Sequence, residues 1–211
     1  MVSLGVYLKA MDWDAKTITT YDNSAQALAE YFKGIGARVG DIELGLSLAK
    51  ADIDSRAIEI GCGDGRDAVE IAKRVGWFEG FDPSKSLLEI ARKKLPDTSF
   101  VLADALTYNY PQDIDVIYAF ASLLHVSKMT LPKVFEKAAQ SLRPGGVFYI
   151  SLKERDEYLE EVKKDSYGER MFYYYNPEII KEIAGDLFVA IHEDHQVHGH
   201  TNWFTIALRR V

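Results

Sequence analysis

Seven residues constrain this chain more than any others: Glu59-Ile60-Gly61-Cys62-Gly63-Asp64-Gly65. The apolar run Ala57-Ile58-Glu59-Ile60 reads as a buried strand, and Ala68, Ile71, Ala72 and Val75 share one face of the helix that follows. Glycines at this junction let the backbone turn sharply and let a ligand approach it with no Cβ in the way. The helix N-terminus adds free N–H donors. A chain with such a junction is an α/β protein, with a ligand site beyond the carboxyl end of the first strand.

The alternation continues. Trp77–Phe81, Phe100–Leu102, Ile114–Phe120 and Val147–Ile150 read as further strands. Ser84 caps a helix to about Lys94, stopped by Pro96. Leu131, Val134, Phe135, Ala138, Ala139 and Leu142 form a helical stripe that Arg143-Pro144-Gly145-Gly146 breaks. Strands alternating with helices of this length form βαβ units, and right-handed crossovers make a doubly wound, Rossmann-like, mostly parallel sheet with helices on both faces. At the end, Leu187–Ile191 and Trp203–Leu208 read as two strands joined near Gly199, supplying an antiparallel edge strand. Two helices precede the sheet, one capped by Ser24 with Ala25, Leu28, Ala29 and Phe32 inward, one capped by Asp41 and running to about Lys50. A polar helix near residues 156–164 and an extended aromatic run, Met171–Asn176, complete the reading.

Composition excludes several classes. Lys and Arg number 25 against 32 Asp and Glu, a net charge of −7, and no basic footprint for a nucleic acid appears. Cys62 is the single cysteine, so neither an intrachain disulfide nor a cysteine-based zinc site is available. No apolar run approaches the ~18 residues of a membrane span. Met1-Val2-Ser3-Leu4-Gly5 lacks a charged leader, so a cytoplasmic location is expected. His192, His195, His198 and His200 lack the helical spacing of a zinc site and read as a solvated hairpin; no metal is expected.

The loop's charges narrow the ligand. A dinucleotide fingerprint would place its third glycine at Arg66, and a pyrophosphate would meet Glu59, Asp64 and Asp67. Like charges ~4 Å apart repel by roughly 4 kcal/mol at an effective dielectric of 20. The carboxylates suit a ligand with an ammonium and a positive sulfur. Asp82, twenty-one residues after Gly61, stands where an acid accepts hydrogen bonds from ribose hydroxyls.

In these residues the chain resembles the class I S-adenosylmethionine-dependent methyltransferases. The glycine loop is similar to that family's first motif, and Gly80-Phe81-Asp82-Pro83-Ser84 to its ribose-binding acidic position. Leu102-Ala103-Asp104-Ala105 resembles the segment beside the adenine, Ile114–Val126 the fourth-strand motif, and Leu142–Gly146 the turn before strand five. The likeness is strong over about Ser55–Leu152. It implies a seven-stranded sheet and a single domain: a helical lid (1–54), a cofactor-binding core (55–152), and an acceptor-side insert with edge strands (153–211). It implies S-adenosylmethionine as cofactor and S-adenosylhomocysteine as product. Glu59, Gly61, Cys62, Gly63, Gly65 and Arg66 would form the methionine side, Asp82, Pro83 and Ser84 the ribose side, Asp104 and Ala105 the adenine side, and Phe120 and Ala121 the floor under the sulfonium.

In-line methyl transfer needs a held nucleophile and, where the acceptor must lose a proton, a base. His125, after strand four, and Tyr21, before the first helix, are the catalytic candidates; the bland alternatives are a backbone-bonded histidine and a packing tyrosine. Tyr21, Lys153, Arg170 and Tyr174 are candidate acceptor contacts, the last within an aromatic wall with Phe172. Expected partners are a small-molecule acceptor, no nucleic acid, no membrane, and at most a second copy of the chain. A non-catalytic cofactor-binding module, a protein or peptide acceptor, and a nicotinamide-dependent oxidoreductase are the alternatives.

Overall fold

The computed structural model describes residues 15–211. Helical residues 15–23 (α1) lead into α2 (Ala25–Ile35) and α3 (Val39–Ala49). The alternating core follows: β1 (Arg56–Ile60), α4 (Ala68–Ala72), β2 (Trp77–Asp82), α5 (Lys85–Lys94), β3 (Ser99–Leu102), β4 (Ile114–Phe120), a 3-10 turn at Leu123–His125, α6 (Leu131–Ser141) and β5 (Leu142–Lys153). A hairpin of β6 (Leu159–Asp165) and β7 (Gly168–Tyr174) precedes α7 (Pro177–Ala184), and β8 (Phe188–His198) and β9 (Thr201–Arg210) end the chain.

Seven strands form one sheet in the order β3-β2-β1-β4-β5-β9-β8. β1 to β5 pair in parallel, and β9 pairs antiparallel with β5 and with the edge strand β8. β9 is therefore the strand that runs against the rest. The order reverses between β1 and β4, and the crevice at their carboxyl ends is where such a sheet holds a ligand. Central strands covered on both faces read as near-continuous apolar runs, which is why β1, β4 and β5 were visible in the sequence. On one face Phe135 of α6, Phe148 and Phe188 pack ring to ring. On the other, α3 lies so close that a Cβ on Gly45 would come within 2.7 Å of the Tyr118 ring, whose hydroxyl donates to the Ile42 carbonyl at 2.7 Å.

Several local expectations change. Ser24 does not start the first helix; it sits at the break between α1 and α2, and its hydroxyl donates to the Tyr167 carbonyl rather than capping. α3 starts at Val39, so Asp41 lies in its first turn and accepts from the Tyr149 hydroxyl at 2.8 Å. The polar helix near 156–164 is instead β6. Lys and Glu favour a helix there, but pairing with the aromatic strand β7 imposes extension. The terminal strands are longer than expected, 188–198 and 201–210, with Gly199 in the left-handed region between them. No described helix is long and apolar enough to cross a membrane, and no group of three metal-ligating side chains occurs among the described residues.

Candidate active site

One cavity of about 870 Å³ opens at the carboxyl ends of β1 and β4. Its nucleotide pole is built by the glycine loop. Gly61 and Gly63 have φ of +69° and +54°, and a Cβ on Gly61 would lie 2.3 Å from the Ser122 Cβ. The loop backbone thus packs directly on the side chain of Ser122, which follows β4. Ala121 there holds φ +53°, a conformation that costs a non-glycine residue of order 1 kcal/mol or more. Gly65 (φ +78°) is off the cavity wall. Its hydrogen faces Ala91, so it serves the packing of α5.

Asp82 ends β2 with its carboxylate gripped on both oxygens. Gly63 N donates to Oδ2 at 2.9 Å and Ser84 N to Oδ1 at 2.8 Å. Burial nevertheless pushes its pKa up to about 6. Ser84 caps α5 by accepting from Leu87 N, and its hydroxyl donates to Asp22 of α1 at 2.7 Å. Pro83 and Ser84 line the cavity beside it.

The acidic loop is less unbalanced than its sequence implied. Lys94 pairs with Asp64 at 2.5 Å, and Arg66 pairs with Asp67. Glu59 is different: it is 2% exposed, its Oε2 has no partner, and burial beside Asp67 holds its carboxyl well above the usual carboxylate range. An unpartnered buried carboxyl oxygen beside a glycine cradle fits the ammonium end of S-adenosylmethionine. The carboxylate at that same end needs a cation. Arg38, which sequence reasoning missed, lines the cavity, and its guanidinium lies 5.5 Å from the Phe120 ring centre. It bonds Ser151 Oγ at 3.1 Å, and its Nε is buried without a partner. No motif surrounds Arg38 in the sequence, so only the fold could reveal it.

Of the other expected cofactor contacts, Cys62, Phe120 and Ala121 line the cavity, and the Cys62 thiol packs where a Cβ on Gly80 would be. Asp104 and Ala105 do not line it. Asp104 accepts from Leu106 N at 2.7 Å and Thr107 N at 2.8 Å, closing its own turn, and the Ala105 carbonyl accepts from Tyr110.

At the opposite pole the two catalytic candidates meet. Tyr21 Oη and His125 Nε2 are 2.8 Å apart, and His125 Nδ1 lies 2.6 Å from the Met171 carbonyl oxygen. A carbonyl only accepts, so Nδ1 carries the proton and Nε2 accepts from the Tyr21 hydroxyl. The bland reading of His125 as a backbone-bonded ring and the functional one therefore hold together. Burial, with the charges of Arg170 and Lys153, pushes the ring's pKa down to about 3 and keeps it neutral. Tyr21's hydrogen is committed to His125, so its oxygen offers lone pairs to the cavity. Burial raises its pKa.

Lys153 and Arg170 line this pole, together with Phe172 and Trp203. Tyr174 does not. It packs beneath the Arg155 guanidinium, 4.8 Å from its ring centre, leaving Phe172 as the wall residue of β7. α1 is fastened to β7 by Thr20 Oγ1 donating to the Glu169 carbonyl at 2.7 Å, by Met171 N donating to Thr17 Oγ1 at 3.0 Å, and by Ser24 donating to Tyr167.

Comparison with known proteins agrees with this geometry. Residues 57–146 match a methyltransferase domain family. Trans-aconitate 2-methyltransferase of Methylobacterium radiotolerans is 40% identical over 100 residues, covering 46% of this chain and 37% of that protein. Its counterpart from Rhizobium rhizogenes is 32% identical over 99 residues, 46% of this chain and 38% of that protein. The chain thus spans less than half the length of these curated relatives. Among solved structures, a SAM-dependent methyltransferase from Leishmania major aligns with a TM-score of 0.73 at 19% identity, covering 93% of this chain and 82% of that one. The N-methyltransferase NodS from Bradyrhizobium japonicum, in complex with S-adenosyl-L-homocysteine, aligns with a TM-score of 0.62 at 16% identity, covering 82% and 85%. Residues 57–146 are thus similar to a methyltransferase domain, and the sheet belongs to the fold that these solved structures share.

Proposed function

We propose that this protein transfers the methyl group of S-adenosylmethionine to a small-molecule acceptor by in-line displacement. The observation that carries this reading is one cavity with the unpartnered, buried Glu59 oxygen beside a glycine cradle at one pole and a hydrogen-bonded Tyr–His pair at the other. Bound S-adenosylmethionine supplies the electrophile, a methyl on a positive sulfur. Glu59 would hold the amino group, Arg38 the carboxylate and Asp82 the ribose hydroxyls, with Phe120 and Ala121 as the floor. Tyr21 accepts a hydrogen bond from the acceptor's N–H or O–H and so aims the nucleophile. His125, kept neutral by its burial, would hold the Tyr21 hydroxyl in place by accepting its hydrogen, and the proton that the acceptor releases would leave to solvent. Tyr21 is the catalytic residue here and His125 the residue that positions it. The division into a lid (1–54), a core (55–152) and an acceptor side (153–211) is supported by Lys153, Lys163 and Arg170 lining the acceptor pole; residues 1–14 of that lid lie outside the described residues.

The small-molecule acceptor is supported by the curated relatives, which are named for trans-aconitate. Enclosure of the Tyr21 hydroxyl in a cavity of this size supports it too. A net charge of −7 disfavours nucleic acid. We place the protein in the cytoplasm, as a monomer or homodimer. The test is incubation with isotopically labelled cofactor and a metabolite extract. A small molecule should gain the label. Cofactor binding with no labelled product would favour a non-catalytic module, a labelled polypeptide would favour a protein acceptor, and NADH binding in preference to S-adenosylhomocysteine would overturn the assignment. Tyr21→Phe should lower turnover about 10²-fold and leave S-adenosylhomocysteine affinity nearly unchanged; equal loss in both, or in neither, would remove Tyr21 from the reaction.

A further inference from the structure

Three cationic side chains, Lys153, Lys163 and Arg170, line the acceptor pole; Asp165 pairs with Arg170, and Glu161 with Lys163 at 3.4 Å. Their surroundings are unusual for cations. Arg170 is 8% exposed, and its Nε is buried with no partner. Its guanidinium pairs with Asp165 through Nη2 and reaches Tyr21 Oη from Nη1 at 3.5 Å, leaving fork donors unused. Lys153 Nζ lies 4.1 Å from the Phe172 ring centre, and the Arg170 guanidinium 5.4 Å from the same centre. Among the described residues Lys153 has no ion pair within 4.0 Å, its nearest recorded contacts being the Phe172 and Trp203 rings. Lys153 is half-buried without a counterion, and buried Arg170 has donors left over beside Asp165, so an anion between the two would lower the cost of burying them. Burial and the neighbouring charges of Lys163 and Arg170 already pull the Lys153 ammonium down to about 8.

We propose that Lys153 and Arg170, across the Phe172 ring, form a subsite for a carboxylate of the methyl acceptor, so that the acceptor is a small carboxylic acid that also carries an N–H or O–H nucleophile. The planar guanidinium fork matches a carboxylate edge. The lysine adds a second, point-like charge, and Phe172 and Trp203 supply an apolar wall. Arg170 also borders Tyr21, so an acid seated on the fork brings its neighbouring atoms to the hydroxyl that aims the nucleophile. All three cations fall outside the stretch matched by the domain family, residues 57–146, so the inference rests on this chain's own side chains. It also rests on the methyltransferase reading above.

The test uses the full chain saturated with S-adenosylhomocysteine and titrated with benzoate, benzamide and phenyl phosphate, followed by Trp fluorescence or calorimetry. The three probes share a ring and differ in charge. Benzoate should bind at least about tenfold more tightly than benzamide, the scale of a hydrogen bond to a charged group. Lys153→Gln and Arg170→Gln should each remove that preference while S-adenosylhomocysteine affinity stays within about twofold. Thermal melts check that the variants fold, and Lys153→Gln alone suffices should Arg170→Gln not. Equal binding of benzoate and benzamide, or no binding of either, overturns the subsite. Tighter binding of phenyl phosphate than benzoate overturns the carboxylate assignment. Failure of S-adenosylhomocysteine to bind would strike the methyltransferase reading itself.

Discussion

Replacing Asp82 by asparagine separates what its carboxylate costs from what it does. Burial raises Asp82 from its ordinary 3.8 to about 6 against the pull of the Ser84 and Gly63 N–H donors. A rise of that size means that holding the charge at pH 7 destabilises the fold by about 3 kcal/mol. Asp82→Asn removes that cost. Its amide NH₂ must then face either Gly63 N or Ser84 N, and one buried N–H left unpaired costs about 1–3 kcal/mol. The two effects oppose each other at similar size, so the melting temperature should move by only a few degrees. Ligand binding should not be spared. A hydrogen bond to a charged acceptor is worth about 1.5–3 kcal/mol, so S-adenosylhomocysteine affinity should fall about 10- to 150-fold. The pH dependence carries the same signature. Between 3.8 and about 6 the native state holds a proton that the unfolded chain has released, so stability from Asp82 is present at low pH and lost as pH rises through 6. His125 acts oppositely: its ring is depressed from 6.5 to about 3, and its contribution is lost as pH falls. Urea unfolding across this range, wild type minus variant, isolates Asp82. An unchanged ligand affinity, or a difference curve with no slope between pH 4 and 6, would refute the reasoning.

Two further outcomes test the nucleotide pole. Gly61→Ala should destabilise the fold by about 1–3 kcal/mol through its positive φ alone and more through the Ser122 contact, with loss of S-adenosylhomocysteine binding; a wild-type melt would show that the loop is not pinned there. Cys62, buried and with its thiol pKa raised by that burial, should resist iodoacetamide at neutral pH until the protein unfolds, and rapid native alkylation would contradict the packing against Gly80.

The nucleotide pole was legible because its chemistry lies in contiguous stretches. Gly61 and Gly63, Asp82 and Phe120 each sit at the end of a strand whose apolar run announces it. Asp104 shows the limit of such reading: the motif is present, yet its carboxylate closes an Asx turn. The acceptor pole was legible only in pieces. Tyr21 and His125 could be named separately, but 104 positions apart nothing in the sequence joins them. Arg38 and Trp203 come from a connector and a late strand and carry no pattern of their own. β6 was misread because Leu159 and Val162 stand one helical turn apart in a Lys/Glu-rich stretch, and only its partner strand makes it extended.

Because side-chain-to-main-chain bonds stitch α1 to β7, Tyr21 and Arg170 ride on a single leaf of the molecule. A movement of α1 that kept these bonds would carry both side chains together and leave the 3.5 Å between Tyr21 Oη and Arg170 Nη1 unchanged.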